Sequence, residues 1–145
     1  MNEFQPGTMN SAIFELTAPY DNPYQGDFPR WLFVCSAGLL RSPTGAALAN
    51  QRGINARACG SALTYALIPI SANLVAWAHK IVFVCSEVRD QSLDSVFRNN
   101  HEIREDILSK EVVLDIPDRY RYMQSRLIKH FERELFEPLG YPGHS

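Results

Sequence analysis

Apolar residues come in short runs along this chain, and the runs alternate between two kinds. Trp31-Leu32-Phe33-Val34-Cys35 and Ile81-Val82-Phe83-Val84-Cys85 are continuous apolar segments of strand length. Runs without polar alternation suit strands covered on both faces. The first strand is therefore placed at 31–35 and another at 80–85. Asn55 to Cys59, closed by Gly60, and Glu111 to Ile116 read as two more. Between the strands the apolar spacing becomes helical. A helix is expected from about Pro43 to Gln51, stopping near Gly53. Another runs from an N-cap at Ser71 through Ala78, with Leu74, Val75 and Ala78 on one side. Residues 87–97 and 101–109 also read as helical. The last helix, about 124–136, carries Leu127, Ile128, Phe131 and Leu135 on one stripe. Strands alternating with helices predict a parallel α/β sheet, and such sheets bind ligands at the carboxyl ends of their strands.

Residues 1–29 show no such periodicity. Pro6, Pro19, Pro23 and Pro29, with Asn22, Gly26 and Asp27, break every pattern there. This segment reads as an extended N-terminal arm ahead of a single domain at 30–145. Ile13-Phe14-Glu15-Leu16 is a candidate short strand or anchor, and Tyr20 and Tyr24 are candidate surface tyrosines.

Composition narrows the class without naming a function. The chain has 145 residues, 46% of them hydrophobic, and a formal net charge of −2. That is ordinary for a soluble globular domain with a real core. No apolar run approaches the roughly 20 residues needed to span a bilayer. The N-terminus has neither the basic start nor the apolar stretch of a secretory signal. Three cysteines, an odd count without metal-site spacing, favour a reducing compartment, so the expectation is a cytoplasmic protein rather than a disulfide scaffold. His79, His101, His130 and His144 are scattered, and no metal or cofactor is expected. The charge balance argues against a dedicated duplex-binding protein. Basic residues do crowd one stretch, with Arg119, Arg121, Arg126, Lys129 and Arg133 forming either a solvated helix face or a rim for a polyanionic substrate.

The chemistry concentrates where the first strand ends. Cys35 is followed by Ser36, Ala37, Gly38, Leu39 and Leu40, then by Arg41, Ser42 and Pro43. Five intervening residues let a loop curl until its amides point inward as an anion nest at a helix N-terminus. A cysteine there has the surroundings that favour a thiolate. Arg41 can grip two phosphoryl oxygens at once. Ser42 places a hydroxyl within reach of the sulfur, and Pro43 suits a first helical turn. Phosphoryl transfer through sulfur also needs a carboxyl near the leaving oxygen. Asp118, in Asp115-Ile116-Pro117-Asp118-Arg119-Tyr120, is the first choice, with Asp115 at the end of the preceding strand as the alternative.

On these residues the chain resembles the low-molecular-weight protein tyrosine phosphatases, in an atypical bacterial or phage branch. The resemblance spans roughly residues 30–136, about one domain. It implies a three-layer α/β/α sandwich around a four-stranded parallel sheet of order 2-1-3-4. It also implies phosphoester hydrolysis through a phosphocysteine on Cys35. Arg41 and the loop residues Ser36 to Leu40 would hold phosphate, and Asp118 would serve as acid and then base. Three departures stand out. Gly38 occupies a place where the family often has Asn, and glycine keeps the curl because positive φ costs it nothing. Leu40 replaces a second loop cysteine found in some members. Arg119 follows the acid where the family usually has Pro.

Four matters stay open at this level. Tyr120, Tyr122 and Arg119 are the expected walls of a substrate pocket, with Tyr65 a further candidate. The same residues would also suit an RNA end or a nucleotide, including a 2′,3′-cyclic phosphodiester. Arsenate reduction is disfavoured, because Cys59 and Cys85 are too far apart for a thiol relay. A non-catalytic phosphate-binding module is disfavoured by the full set of reactive groups. The implied strand order makes the strands ending at Cys35 and Cys85 neighbours. Cys85 then reads as a small apolar residue beneath the loop or, as the alternative, a disulfide partner that protects Cys35.

Overall fold

The computed structural model describes residues 28–141. The candidate strand at 13–16 and Tyr20 and Tyr24 lie outside the described residues. Strand β1, Arg30–Cys35, is the centre of the molecule, and Leu32, Phe33 and Val34 are wholly buried. Helix α1, Arg41–Asn50, follows, then β2, Asn55–Gly60. Helix α2, Ala72–Trp77, leads to β3, Lys80–Phe83, and α3, Ser86–Gln91. Helix α4, His101–Lys110, runs directly into β4, Glu111–Val113, and α5, Ser125–Phe131, closes the fold. All strand pairs are parallel and the order is β2-β1-β3-β4, the topology expected from the resemblance.

Alternation along β1 sends its side chains to two separate layers. On one side Trp31 stacks on Phe136 and Phe33 meets Phe131 edge-on, so α5 and its continuation cover that face. Helix α1 joins them at Gly45, where an added Cβ would lie 2.4 Å from the Phe33 ring and 2.8 Å from that of Phe131. Helices α2 and α4 pack together on the other face, and Lys110 Nζ donates to the Val75 carbonyl at 2.8 Å. Burial on both faces explains why β1 and β3 read as unbroken apolar runs.

Element boundaries differ from the sequence expectation in instructive ways. Helix α1 starts at Arg41, so Pro43 is its third residue, still within the first turn whose N–H groups need no helical partner. β3 and β4 end earlier than expected as strands. Their ladder nevertheless continues as single bonds, from Leu114 N to Phe83 O at 2.8 Å and from Ile116 N to Val84 O at 2.9 Å. The chain leaves the ladder because Cys85 already caps α3 and Pro117 has no N–H to give. Two expected α-helices widen at their ends into π-helical turns, Ser92–Val96 and Glu132–Phe136. In the first, the buried Ser92 hydroxyl donates back to Val88 O at 3.0 Å, a local competitor for the helical ladder. Ser71 caps α2 as its sequence suggested, accepting the Leu74 N–H at 3.2 Å. No helix among the described residues is long and apolar enough to cross a membrane.

Candidate active site

β1 delivers Cys35 to the carboxyl edge of the sheet, and the loop 36–40 turns there before α1 begins. The turn is tied from outside. Its carbonyls at Cys35, Ser36 and Ala37 accept the N–H groups of Ser61, Ala62 and Leu67 at 2.8, 2.9 and 3.1 Å. With three carbonyls drawn outward, the peptide N–H groups are left for the concave side. Gly38 makes the curl, at φ +75, and its N–H donates to Cys35 Sγ at 3.2 Å. A side chain at that position would be strained and would crowd the β2 backbone, 3.1 Å from the Cys59 carbonyl carbon.

Ser42 is fully buried and its Oγ lies 3.0 Å from Cys35 Sγ. The same hydroxyl can donate to the Cys59 carbonyl at 3.2 Å. A hydroxyl has one proton for these two acceptors. With a thiol at Cys35, the S–H donates to Ser42 and Ser42 donates to Cys59. With a thiolate, the Ser42 O–H turns to the sulfur. Cys59 itself is buried beneath the loop. Its thiol is held well above the usual range by burial first and then by the nearby Cys35 sulfur.

Arg41 is buried, and its guanidinium faces away from the helix toward the end of the sheet. Nη1 donates to the Ile116 carbonyl at 2.9 Å and to Cys85 Sγ at 3.6 Å, and Nε lies 3.5 Å from Asp118 Oδ1. The arginine thus bridges three chain segments that are far apart in sequence. Cys35, Ser36, Ala37, Leu39, Leu40, Arg41, Tyr65 and Asp118 line one cleft of about 180 Å³. Asp118 is largely exposed to solvent at its mouth, at 68% of the side-chain surface. Asp115 is exposed but does not line the cleft, and its N–H is engaged by Glu134 Oε1 at 2.8 Å.

The expected pocket walls are a correction. Tyr120 is buried, and its hydroxyl lies 3.0 Å from His130 Nε2. Tyr122 is exposed and, like Arg119, does not line the cleft; the Arg119 guanidinium lies over the Tyr120 ring at 5.6 Å. The apolar wall comes from Leu39 and Leu40, with Tyr65, the further candidate, also on the cleft. The physical reason is the turn at Met123, which has φ 59 and folds the segment after Asp118 back onto α1 and α5. Local sequence carries no signal for that turn, and none for the three backbone bonds from loop 61–67.

All three cysteines are free thiols. Register separates Cys35 from Cys85. Val34 lies level with Phe83, so Val84 is beside Cys35 and Cys85 falls one residue further on, against the Arg41 guanidinium. The repeated Phe-Val-Cys-Ser therefore marks two strands entering two different helix starts. Among the described residues no three His, Cys, Asp or Glu side chains are grouped to hold a metal ion.

No family model and no curated protein matches the sequence. Solved structures do match the fold. Wzb of Vibrio vulnificus, in complex with benzylphosphonate, superimposes with a TM-score of 0.52 at 15% identity, covering 72% of this chain and 90% of that one. A low-molecular-weight phosphotyrosine phosphatase from Vibrio cholerae O395 gives 0.51 at 15% identity, over 70% of this chain and 86% of its own. The YwlE arginine phosphatase of Geobacillus stearothermophilus gives 0.51 at 18% identity, over 81% and 99%. The fold is that of the low-molecular-weight phosphatases, as the motif resemblance implied.

Proposed function

We propose that this chain is a cysteine-dependent phosphatase that removes phosphate from a protein side chain. The observation that carries this reading is convergence. Cys35, Arg41 and Asp118 line a single small cleft, with Ser42 on the sulfur from below. In the first step Cys35 Sγ attacks phosphorus, an S–P bond forms and the bond from phosphorus to the leaving atom breaks, P–O in phosphotyrosine and P–N in phosphoarginine. That leaving atom takes its proton from the Asp118 carboxyl. Arg41 and the loop N–H groups hold the non-bridging oxygens as charge builds. In the second step water attacks phosphorus and gives its proton to Asp118. The S–P bond breaks, releasing inorganic phosphate and restoring the cysteine.

The mouth of the cleft supports a protein substrate over an RNA end. Leu39, Leu40 and Tyr65 line the cleft and are exposed, and the loop that carries Tyr65 also exposes Leu63 and Leu67. The segment from Ser61 to Ile70 contains no charged residue. An exposed apolar collar without cations suits a phosphorylated side chain flanked by apolar residues, and offers little to a phosphodiester backbone. The solved relatives named for tyrosine and for arginine phosphatase activity leave both phosphoamino acids in play. Arsenate reduction finds no support, since Cys59 is sealed in the core and Cys85 starts a separate helix.

The test is a substrate panel on the wild-type protein and on Cys35→Ser. Phosphotyrosine and phosphoarginine peptides, a nucleoside 2′,3′-cyclic phosphate and p-nitrophenyl phosphate form the panel. Turnover of a phosphopeptide and of p-nitrophenyl phosphate is expected, with loss of at least about 10³-fold in Cys35→Ser. Acid-quenched protein should carry a phosphate on the Cys35 peptide. Turnover of the cyclic phosphate alone would transfer the assignment to nucleic-acid ends. Undiminished turnover in Cys35→Ser would end the reading.

A further inference from the structure

Asp118 has little of its own to hold it. Its carboxylate is mostly solvent-exposed and meets Arg41 only at 3.5 Å. The segment that carries it, 114–124, has no helix or strand. Yet that segment is tethered at four points by side chains from elsewhere. Arg41 takes the Ile116 carbonyl. Glu134 Oε1 takes the Asp115 N–H, while Oε2 of the same carboxylate lies 2.6 Å from His130 Nδ1. His130 then reaches the Tyr120 hydroxyl through Nε2. The fourth tether is Thr44. Its Oγ1 accepts the Met123 N–H at 2.8 Å and donates to the Leu40 carbonyl at 2.8 Å.

Thr44 is the most informative of these. It is fully buried in the first turn of α1, two residues after Ser42. One hydroxyl bonds the last residue of the phosphate loop and the far end of the acid segment together. Met123 has φ 59, a backbone state that costs a non-glycine residue free energy and persists only where surroundings enforce it. The Thr44 bond is an enforcing contact. Tyr120 anchors the same segment nearer to Asp118, through its hydroxyl on His130.

We propose that Thr44 and Tyr120 are positioning residues that fix where Asp118 stands above the phosphate loop. The inference rests on the phosphatase reading with Asp118 as the acid. Neither side chain touches the substrate; each acts through the backbone on which Asp118 is carried. Misplacing a general acid has a distinctive consequence. A poor leaving group such as phenolate needs the proton, whereas p-nitrophenolate departs without it. The quantity to measure is the ratio of kcat/KM on p-nitrophenyl phosphate to that on phenyl phosphate.

Asp118→Asn sets the upper limit of that ratio. Thr44→Val keeps the shape and removes both bonds, and should raise the ratio about tenfold, part of the full contribution of a general acid. Thr44→Ser restores the hydroxyl and should restore the ratio. Tyr120→Phe should move it in the same direction and by less. Inhibition by inorganic phosphate reports the phosphate loop and should stay near the wild-type value. Ile107→Ala, in α4 on the opposite face of the sheet, controls for lost stability and should leave the ratio alone. A wild-type ratio in Thr44→Val, beside a raised one in Asp118→Asn, would overturn the proposal while leaving the phosphatase reading intact. Should Thr44→Val fail to fold, the ratio in Tyr120→Phe decides in the same way. A wild-type protein inactive on both esters would bring down the phosphatase reading, and this inference with it.

Discussion

The loop 35–42 and the segment 114–124 face each other across one cleft, yet they are built on opposite principles. The first is short and contiguous, a strand end, a glycine at positive φ and a helix start, tied from outside by backbone bonds. Its contacts to β2 and to loop 61–67 are almost all backbone bonds. The second has no regular structure and is held by side chains from α1, α5 and the π-helical turn that continues α5. A loop fixed by backbone sets one geometry for every substrate. A segment fixed by a few side chains can be shifted by a single substitution, and only the step needing its carboxyl should notice.

That contrast can be broken experimentally. The largest effect is expected from Gly38→Val, which forces a β-branched residue to φ +75 against the β2 backbone. A displaced loop should cost about 10²-fold or more in kcat/KM. The loss should be equal on phenyl phosphate and p-nitrophenyl phosphate. A loss confined to the poorer leaving group would mean that the loop and the acid segment are not independent. Next in size is Ser42→Ala. It removes a hydroxyl 3.0 Å from the Cys35 sulfur and should cost about tenfold, the worth of one hydrogen bond to a charged group. Again both esters should suffer alike. The smallest effect concerns the amino end of the sheet, remote from both regions. His79 Nδ1 accepts the Arg30 N–H at 3.0 Å, and its affinity for a proton is lowered by partial burial, then by Arg30 and Lys110. Below the ordinary histidine range the unfolded chain binds the proton more readily than the folded one. Stability should therefore fall as pH drops through that range, and His79→Gln should flatten the fall in urea-unfolding curves at several pH values. A steeper acid loss in His79→Gln would reverse the sign of this assignment.

Legibility followed the same division. Cys35, Arg41 and Ser42 were readable because they stand together between a strand end and a helix start, although Arg41 and Ser42 bond to segments remote in sequence. The alternation of apolar strands with helices was enough for the parallel sheet, since burial on both faces leaves a compositional mark. Asp118 was separable from Asp115 only as a preference. The structure brings Asp118 to the cleft because Pro117 and the turn at Met123 redirect the chain after Ile116. Tyr120 misled for the same reason. An aromatic two residues from a candidate acid reads as a pocket wall, and nothing nearby announces that His130, ten residues on, will take its hydroxyl.

The amino-acid order alone determined the strand–helix rhythm and the short turn that carries both Cys35 and Arg41, because each is set within one strand or one turn. Tertiary structure decided which carboxyl overlooks the sulfur, which side chains wall the cleft and which thiols stay apart. Those outcomes depend on strand register and on bonds between residues dozens of positions apart. A one-residue offset between β1 and β3 moves Cys85 from beside Cys35 to beside Arg41, and no local pattern encodes that offset.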